Sequence, residues 1–343
     1  MGDKDHARAI AVEAGVPVLP GSPRIQADMD VDLAALANDI GYPILVKATG
    51  GGGGMGMKNV MCQAELDSAV QAALQLAGKA FGESAVFLEK YITRARHIEI
   101  QIFGYGDGDV IHLYERDCSI QRRFQKVVEE SPAPEVAESI RMAMAEAAVK
   151  LAAHQRYAGP GTVEFIFDTQ TQRFYFLEMN TRIQVEHPVT EMVTGLDIVR
   201  HQLELASGVF EKIAQSEVCH SGVAIECRLY AENPEKDFLP SPGLLNVFTL
   251  PETGSHCRVE TGYRPNDRIS PYYDPMIAKL IVWGATRAVA IEAMQDALKQ
   301  SVIDGPKHNV KLLQAIMADP DYIAGKVHTA FLESRKAVLI NTP

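Results

Sequence analysis

Hydrophobic and polar positions near the start of the chain follow a helical period that is interrupted by short apolar runs. Residues 3–14 read as a helix with Asp3 at its N-cap, and Gly15-Val16-Pro17 ends it. By the same criteria we predict helices at 30–40 and 63–79, and short strands at 43–47 and 85–89. The pattern predicts mixed helix and strand.

The middle of the chain shows the two-residue alternation of antiparallel strands. Ile98–Phe103 alternates clearly, and a turn at Tyr105–Asp109 leads to a return strand at Val110–Glu115. Gly161–Phe167 and Arg173–Met179 flank a polar stretch and predict a second β-hairpin. Helices are predicted beside these strands at 135–154 and 195–207.

The pattern of predicted elements changes at about residue 222. Short strands then alternate with Pro/Gly turns such as Pro240-Ser241-Pro242-Gly243, and helices are predicted at 287–301 and 307–318. We interpret 222–343 as a separate α+β domain.

Composition narrows the class of protein. The 343 residues are 47% hydrophobic and 22% charged, which is typical of a globular protein with two or three domains. The formal net charge of −11 argues against nucleic-acid or anionic-membrane partners, although a few cations in a cleft could still bind phosphates. We find no membrane-spanning run and no signal peptide. The five cysteines form no CxxC pair, which favours a reducing compartment and disfavours zinc.

A glycine run at Gly50–Gly54 follows the strand that ends at Lys47. Without a Cβ, a glycine amide can approach a phosphate closely, so the run can form a nucleotide lid. A flexible linker is the alternative, since glycine runs are weak signals. No Lys-Ser or Lys-Thr pair closes the run, so it is not a Walker loop.

The predicted hairpin carries two carboxylates, Glu164 and Glu178. By alternation Glu178 shares a face with Phe174 and Phe176, where a carboxylate needs a partner. Two carboxylates near the amide oxygen of Asn180 suit Mg²⁺. Two solvated strand glutamates are the alternative.

Polar residues recur at every second position after this strand. They are Glu178, Asn180, Arg182, Gln184 and Glu186. If the segment is extended, all five point the same way: the metal ligands come first, Arg182 can hold a planar anion, and Glu186 can act as a general base. An edge strand with a charged outer face is the alternative.

Two further segments are less specific. Glu89–Ile92 leaves a strand and could form a hinge whose backbone reads adenine, or it could be a plain strand end. Residues 121–126 are basic and precede Glu129-Glu130, which is typical of a solvated charged loop.

Several motifs together resemble the biotin carboxylase family, in family order over almost the whole chain. They are Met1–Lys4, Val46–Thr49 with the glycines, Glu115–Arg123, Glu178–Pro188, Glu226–Arg228, Phe238–Gly243 and Tyr272–Asp274. The resemblance implies an α+β ATP-grasp fold over 1–221, with a mobile glycine-lid lobe at approximately 22–93. A biotin carboxylase C-terminal domain is implied over 222–343, and the family's Rossmann-like N-terminal lobe is expected to be absent.

The resemblance also implies a role for each matching residue. ATP phosphates are assigned to Lys4, Lys47, Gly51, Gly52, Gly53 and Gly54, and the adenine site to Glu89, Lys90 and Ile92, with His97, Gln121 and Lys126 also contacting the nucleotide. Mg²⁺ or Mn²⁺ is assigned to Glu164, Glu178 and Asn180. Bicarbonate is assigned to Arg182, Gln184 and Val185, with Glu186 as its base, and Arg228 is assigned to the biotin enolate.

Departures from the family pattern qualify these roles. Phe124 stands where the family usually has His, and Met55 where it usually has Arg. Loss of the N-terminal lobe predicts exposed apolar surface, Arg258 without the acidic partners of that lobe, a weakened homo-oligomer and poor turnover of biotin by the chain alone. The implied partners are a biotin carboxyl carrier protein or domain, which presents biotin as the substrate, and a carboxyltransferase. The expected location is the cytoplasm, or the mitochondrial matrix in a eukaryote.

Two other functions stay open from the residues. One is another ATP-grasp ligase that makes an acyl phosphate, such as a carbamoyl-phosphate synthetase half or a purine carboxylase. The other is an inactive ATP-binding fragment.

Overall fold

The computed structural model describes residues 4–26, 29, 31–49, 57–81 and 84–341. Its helices are α1 Lys4–Glu13, α2 Leu33–Ile40, α3 Leu66–Phe81, α4 Glu138–His154, α5 His187–Thr194, α6 Ile198–Ser207, α7 Arg287–Gln300, α8 Val310–Ala318, α9 Pro320–Ile323 and α10 Phe331–Asn341. The first nine strands are β1 Ile25–Gln26, β2 Ile44–Ala48, β3 Lys58–Val60, β4 Ala85–Lys90, β5 Ala95–Tyr105, β6 Val110–Arg122, β7 Gln125–Ser131, β8 Ala158–Asp168 and β9 Arg173–Asn180. The others are β10 Val223–Tyr230, β11 Glu232–Asn233, β12 Leu239–Pro240, β13 Gly243–Leu244, β14 Val247–Thr249, β15 Cys257–Glu260, β16 Arg268–Ile269, β17 Met276–Gly284 and β18 Val302–Asp304.

A small lobe is built on a four-stranded sheet in the order β1-β4-β2-β3. Helices α2 and α3 pack on it over a core that includes Ile44, Val46 and Leu88. The side chain of Asp32 accepts a hydrogen bond from the Ala35 amide (2.9 Å) and caps α2. These elements confirm the predicted helix–strand pattern, although the glycine run itself (50–54) and Met55 lie outside the described residues.

The larger sheet has eight strands in the order β15-β17-β10-β7-β6-β5-β8-β9, and all of its pairs are antiparallel. Helix α4 packs on β5 and β6, whereas α5 packs on β6, β7, β10 and β17. The hydrogen-bonded ladder runs through the boundary predicted near residue 222, because Ala224 of β10 pairs with Ser131 of β7. Side chains from both sides of that boundary therefore meet on one continuous surface.

Two elements of this sheet region differ from the sequence predictions. The basic segment 121–126 is not a loop: it comprises the end of β6, a two-residue turn at Arg123 and Phe124, both at positive φ, and the start of β7. Arg123 and Phe124 are exposed, but Gln121 and Arg122 are buried. Helix α5 was not predicted, since its sequence HPVTEMVT is rich in β-branched residues. It forms because Val189 and Val193 are buried against Ala224 and Ile281.

Within the described residues, no helix is long and apolar enough to cross a membrane.

Candidate active site

A row of charged side chains crosses four neighbouring strands of the large sheet. Arg116 on β6 lies opposite Glu99 on β5, Glu99 lies opposite Glu164 on β8, and Glu164 lies opposite Glu178 on β9. Directly paired residues in antiparallel strands share a face, so the four side chains line up. Arg116, Glu99 and Glu164 are buried, and Arg116 Nε donates to Glu99 Oε1 (2.6 Å). The row brings three carboxylates to one face of the sheet, two of them buried and Glu178 half-buried.

Lys126 on β7 joins this row to the segment after β9. Its Nζ donates to Glu99 Oε2 (2.5 Å), Glu164 Oε1 (3.0 Å) and Glu186 Oε1 (2.5 Å). Burial works against the ammonium, but Glu99 and the other carboxylates hold the pKa of Lys126 well above its usual value. Lys126 therefore holds Glu99, Glu164 and Glu186 together in one cluster.

Both oxygens of the Glu164 carboxylate have polar neighbours. Oε1 accepts from Asn180 Nδ2 (2.9 Å) and Gln184 Nε2 (3.0 Å), and His97 Nε2 lies 2.9 Å from Oε2. Burial favours the neutral acid, yet Lys126 and His97 hold the pKa of Glu164 well below its ordinary value. An ionised, buried carboxylate with a second carboxylate and an amide alongside fits a hard divalent cation, so the donor chemistry suits Mg²⁺.

His97 has a fixed orientation. Gln121 Nε2 lies 2.6 Å from His97 Nδ1 and also donates to the Cys118 carbonyl (2.7 Å). Because Nδ1 faces an amide donor, a neutral His97 ring carries its hydrogen on Nε2, the nitrogen that lies near Glu164 Oε2. Burial lowers and Glu164 raises the pKa of His97, and the net direction is upward.

Glu186 and Arg228 meet beside Lys126. Arg228 Nη2 donates to Glu186 Oε2 (3.1 Å) and lies 2.6 Å from Glu129 Oε1. Glu186 is buried, yet Lys126 and then Arg228 outweigh that burial and lower the pKa of Glu186. Burial raises the pKa of Glu129 to about 7. Arg228, from beyond the predicted domain boundary, thus reaches the same centre as Glu186.

The straight polar row predicted over 178–186 is wrong beyond Asn180. Strand β9 ends at that residue, and residues 185–186 form a turn that leads into α5. The turn still brings Gln184 and Glu186 inward. Arg182 is exposed, and its Nη1 donates to the Ile183 carbonyl (3.1 Å), so the structure leaves it at the surface rather than against Glu164.

The predicted face of Glu178 is also wrong. The register changes between Glu164↔Glu178 and Phe165↔Phe176, so Leu177 is an extra residue on β9. This β-bulge places Glu178 on the face of Glu164, away from Phe176. The bulge therefore explains how a carboxylate can follow an apolar stretch and still join the polar row.

The small lobe contributes a second polar group. Lys47 pairs with Glu89, and Arg8 Nη1 lies 3.7 Å from Glu89 Oε1. Lys90 Nζ donates to the carbonyls of Gly41 and Tyr42, both at 2.8 Å, so its side chain braces the end of α2. Ile92, which was also assigned to the nucleotide, follows β4. The side chain of Lys4 and residues Gly51–Gly54 lie outside the part of the chain that the structure describes.

Sequence reasoning missed four residues of the site. They are Glu99, Arg116 and Glu129, described above, and Lys279, whose Nζ donates to the Val185 carbonyl (2.6 Å). Charged residues inside otherwise apolar strands were the available signal, since a buried charge needs a partner. Arg258, expected to lose the acidic partners of the N-terminal lobe, has two acidic partners within the chain: its Nη1 donates to Glu191 Oε2 (2.6 Å), and it pairs with Glu260.

Fold and site together define an ATP-grasp protein: the chain combines a small antiparallel lobe with a large antiparallel sheet that carries buried carboxylates and cations. Family models agree with this class. Residues 3–213 match the carbamoyl-phosphate synthase L chain, ATP binding domain, and residues 226–334 match the biotin carboxylase C-terminal domain.

The chain belongs to the biotin carboxylase family. It is 48% identical over 334 residues to biotin carboxylase 1 of Bacillus subtilis, covering 97% of this chain and 74% of that protein. It is 47% identical to the mitochondrial methylcrotonoyl-CoA carboxylase subunit alpha of Arabidopsis thaliana, with 99% of this chain and 46% of that protein covered. The biotin carboxylase domain of the Hydrogenobacter thermophilus 2-oxoglutarate carboxylase, solved with MgADP, ADP and bicarbonate, superposes with a TM-score of 0.94 at 43% identity, over 100% of this chain and 75% of that one. The resemblance and the ATP-grasp fold expected from the sequence are confirmed.

Proposed function

We propose that this chain carries out the ATP- and bicarbonate-dependent carboxylation of biotin on a carrier protein, through carboxyphosphate. The observation that carries the proposal is the convergence of Lys126 and Arg228 on the buried carboxylate of Glu186, beside Glu164 and His97. Relatives named biotin carboxylase and a neighbour solved with MgADP and bicarbonate support it.

Two anions must meet in this reaction, so the site has to neutralise charge while it positions them. Lys126 and Arg228 are the cations that can turn from glutamates toward a bound anion. Glu164, Glu178 and Asn180 would hold Mg²⁺, which supplies positive charge against the phosphates when it is bound. Lys47, on β2 of the small lobe, is assigned to the phosphates, with Lys4 and the glycine lid.

Glu186 is the proposed base. Its lowered pKa keeps it ionised at neutral pH, so it can accept a proton, although its two cations weaken it as a base. Its basicity rises when Lys126 or Arg228 turns to the substrate. Bicarbonate then attacks the γ-phosphorus, the bond to ADP breaks, and carboxyphosphate forms. Arg182, Gln184 and Val185 are assigned to hold the bicarbonate.

The second half of the reaction uses the phosphate that carboxyphosphate releases with CO₂. This phosphate takes the ureido proton of biotin, and the resulting enolate forms the new bond to CO₂. Arg228, held by Glu129 and Glu186, stabilises the enolate oxygen.

Relatives that are subunits of larger carboxylases support a carrier protein and a carboxyltransferase as partners. We also propose that the chain forms a homo-oligomer and is located in the cytoplasm or the mitochondrial matrix. By itself the chain is proposed to turn over free biotin at a reduced rate.

The deciding experiment is ADP release with MgATP, with and without bicarbonate and free biotin. We expect release that depends on bicarbonate and rises with biotin in the wild-type chain. Glu186→Gln should lose the bicarbonate-dependent part, whereas Glu146→Gln, at an exposed glutamate of α4, should keep it. Equal rates for wild type and Glu186→Gln would refute the proposed base. Stimulation by ammonia in place of biotin would favour a carbamoyl-phosphate synthetase-like ligase.

A further inference from the structure

The turn at residues 184–186 carries three groups of the proposed site, yet it belongs to no strand. Gln184 is held through its side chain by Glu164 and Arg116. The carbonyl of Gln184 lies 2.7 Å from His187 Nδ1. The next peptide group, between Val185 and Glu186, is oriented by a different side chain.

The Val185 carbonyl accepts a hydrogen bond from Lys279 Nζ (2.6 Å). Lys279 lies on β17, across the predicted domain boundary, and only 7% of it is exposed. A peptide group is planar, so holding its oxygen also fixes its nitrogen and the Cα of the next residue. That next residue is Glu186. The ammonium therefore sets the starting point of the Glu186 side chain.

Lys279 is itself oriented by its neighbours. It is paired in register with Glu260 of β15, and its Nζ lies 2.7 Å from Glu260 Oε2. Burial works to raise the pKa of Glu260, but Lys279 and Arg258 hold it below the ordinary value. Arg258 in turn binds Glu191 on α5, the helix that Glu186 begins. The lysine is thus anchored between the sheet and the helix.

We propose that Lys279 is a positioning residue for the carboxylation: it fixes the Val185–Glu186 peptide so that Glu186 meets Lys126 and Arg228. This inference rests on the proposed function. Lys279 reaches a backbone oxygen of the turn, and its effect on the chemistry passes through that turn. A charge-assisted hydrogen bond to a carbonyl is stronger than a neutral one, which explains a lysine at a buried position.

Lys279→Met removes the donor and keeps the length of the side chain, whereas Lys279→Gln keeps a neutral donor. Lys299→Met is the matched control, since Lys299 is an exposed lysine of α7 that pairs locally with Asp296. We expect Lys279→Met to lower kcat/KM for bicarbonate by about tenfold or more, with KM for ATP changed less than about twofold. Lys279→Gln should recover part of the loss, and Lys299→Met should match wild type.

Hydrogen exchange provides a readout that does not need turnover. Amides of peptides covering 181–187 should exchange faster in Lys279→Met than in wild type, while those of α4 should not change. Unchanged exchange there, or a loss for bicarbonate no larger than that of Lys299→Met, would overturn the inference. So would an equal loss for ATP and bicarbonate, which indicates general damage. Absence of bicarbonate-dependent ADP release from wild type would instead count against the proposed function, and the exchange result would still decide the role of Lys279.

Discussion

Replacement of Lys126 by methionine tests how the centre of the site is held together. The lysine contacts Glu99, Glu164 and Glu186, and only 11% of its side chain is exposed. Methionine has a similar length but no charge, so three carboxylates would lose their shared cation. Each of the three keeps another donor: Arg116 for Glu99, Asn180 for Glu164 and Arg228 for Glu186. The effect should therefore be large without abolishing the fold.

The expected size follows from the burial. Removing one partner of a buried ion pair costs about 3–5 kcal/mol, because the other charge stays desolvated. An unfolding entropy of about 2.1 cal/mol/K per residue, over 343 residues, converts this into a fall in Tm of about 4–7 °C. Because Lys126 contacts three carboxylates, we expect the fall in Tm to lie toward the upper end of this range.

The sign of the pH dependence is set by Glu186, whose pKa is lowered in the folded protein. A carboxyl group whose pKa is lowered by folding stabilises the folded protein fully at pH values above its ordinary pKa of about 4.3. That stabilisation is lost as the pH falls through the lowered pKa of the folded state. In Lys126→Met the carboxylates stay buried without the cation, so they should take up protons at a higher pH than in wild type. The difference in Tm should be full at about pH 7.5 and clearly smaller at about pH 5.

Thermal unfolding followed by circular dichroism at the two pH values measures this difference. Lys150→Met, at an exposed lysine of α4 paired with Glu146, is the control and should unfold like wild type at both. A difference in Tm that is the same at both pH values would refute the electrostatic explanation and leave only packing. No difference at neutral pH would show that the three contacts contribute nothing net.

Three other predictions concern the scaffold. Gly305→Ala should destabilise the protein by about 1–3 kcal/mol or more in urea denaturation, because the φ of Gly305 is 120° and an added Cβ would lie 2.0 Å from the Leu244 carbonyl oxygen. Gly254→Ala is the control and should be tolerated, since a Cβ added there would have no atom within 4 Å. Phe331→Ala should cost about 3–5 kcal/mol in the same assay, since the ring is 1% exposed. Iodoacetamide should label the two exposed cysteines of the native protein and reach the two buried ones only on unfolding, as judged by peptide mass spectrometry; reaction of the buried pair in native protein would contradict the structure. The exposed cysteines are Cys62 and Cys219, and the buried ones are Cys118 and Cys227.

Local patterns predicted the hairpin of β8 and β9 and most helices, because strand alternation and helix capping each depend on residues that are close together in the sequence. The same alternation misled beyond Asn180, since polar residues at every second position do not distinguish a strand from a turn. The signal for the change was Pro188, which suits the first turn of a helix and ends an interior strand. Helix α5 forms through tertiary packing of Val189 and Val193, which outweighs their own preference for strands.

The charged row across the sheet was not predictable in the same way. Glu99 and Arg116 are neighbours only because β5 and β6 pair in one register, and that register is a property of two strands together. Leu177 is a comparable case, because a single bulge reverses the face of Glu178. Family resemblance supplied Lys126 and Arg228, which alternation alone did not assign.

The ion pairs also bear on how the site admits substrate. Lys126 is fully engaged with Glu99, Glu164 and Glu186, and Arg228 with Glu129 and Glu186. An incoming anion must compete with these carboxylates for both cations, and a buried carboxylate that loses its cation is costly. Turning the lysine toward a substrate therefore costs less when a further positive charge lies on Glu164. A divalent cation held by Glu164 and its neighbours, as proposed, would supply that charge, so we expect anion binding in this site to depend on the metal through Lys126 as well as through the phosphates.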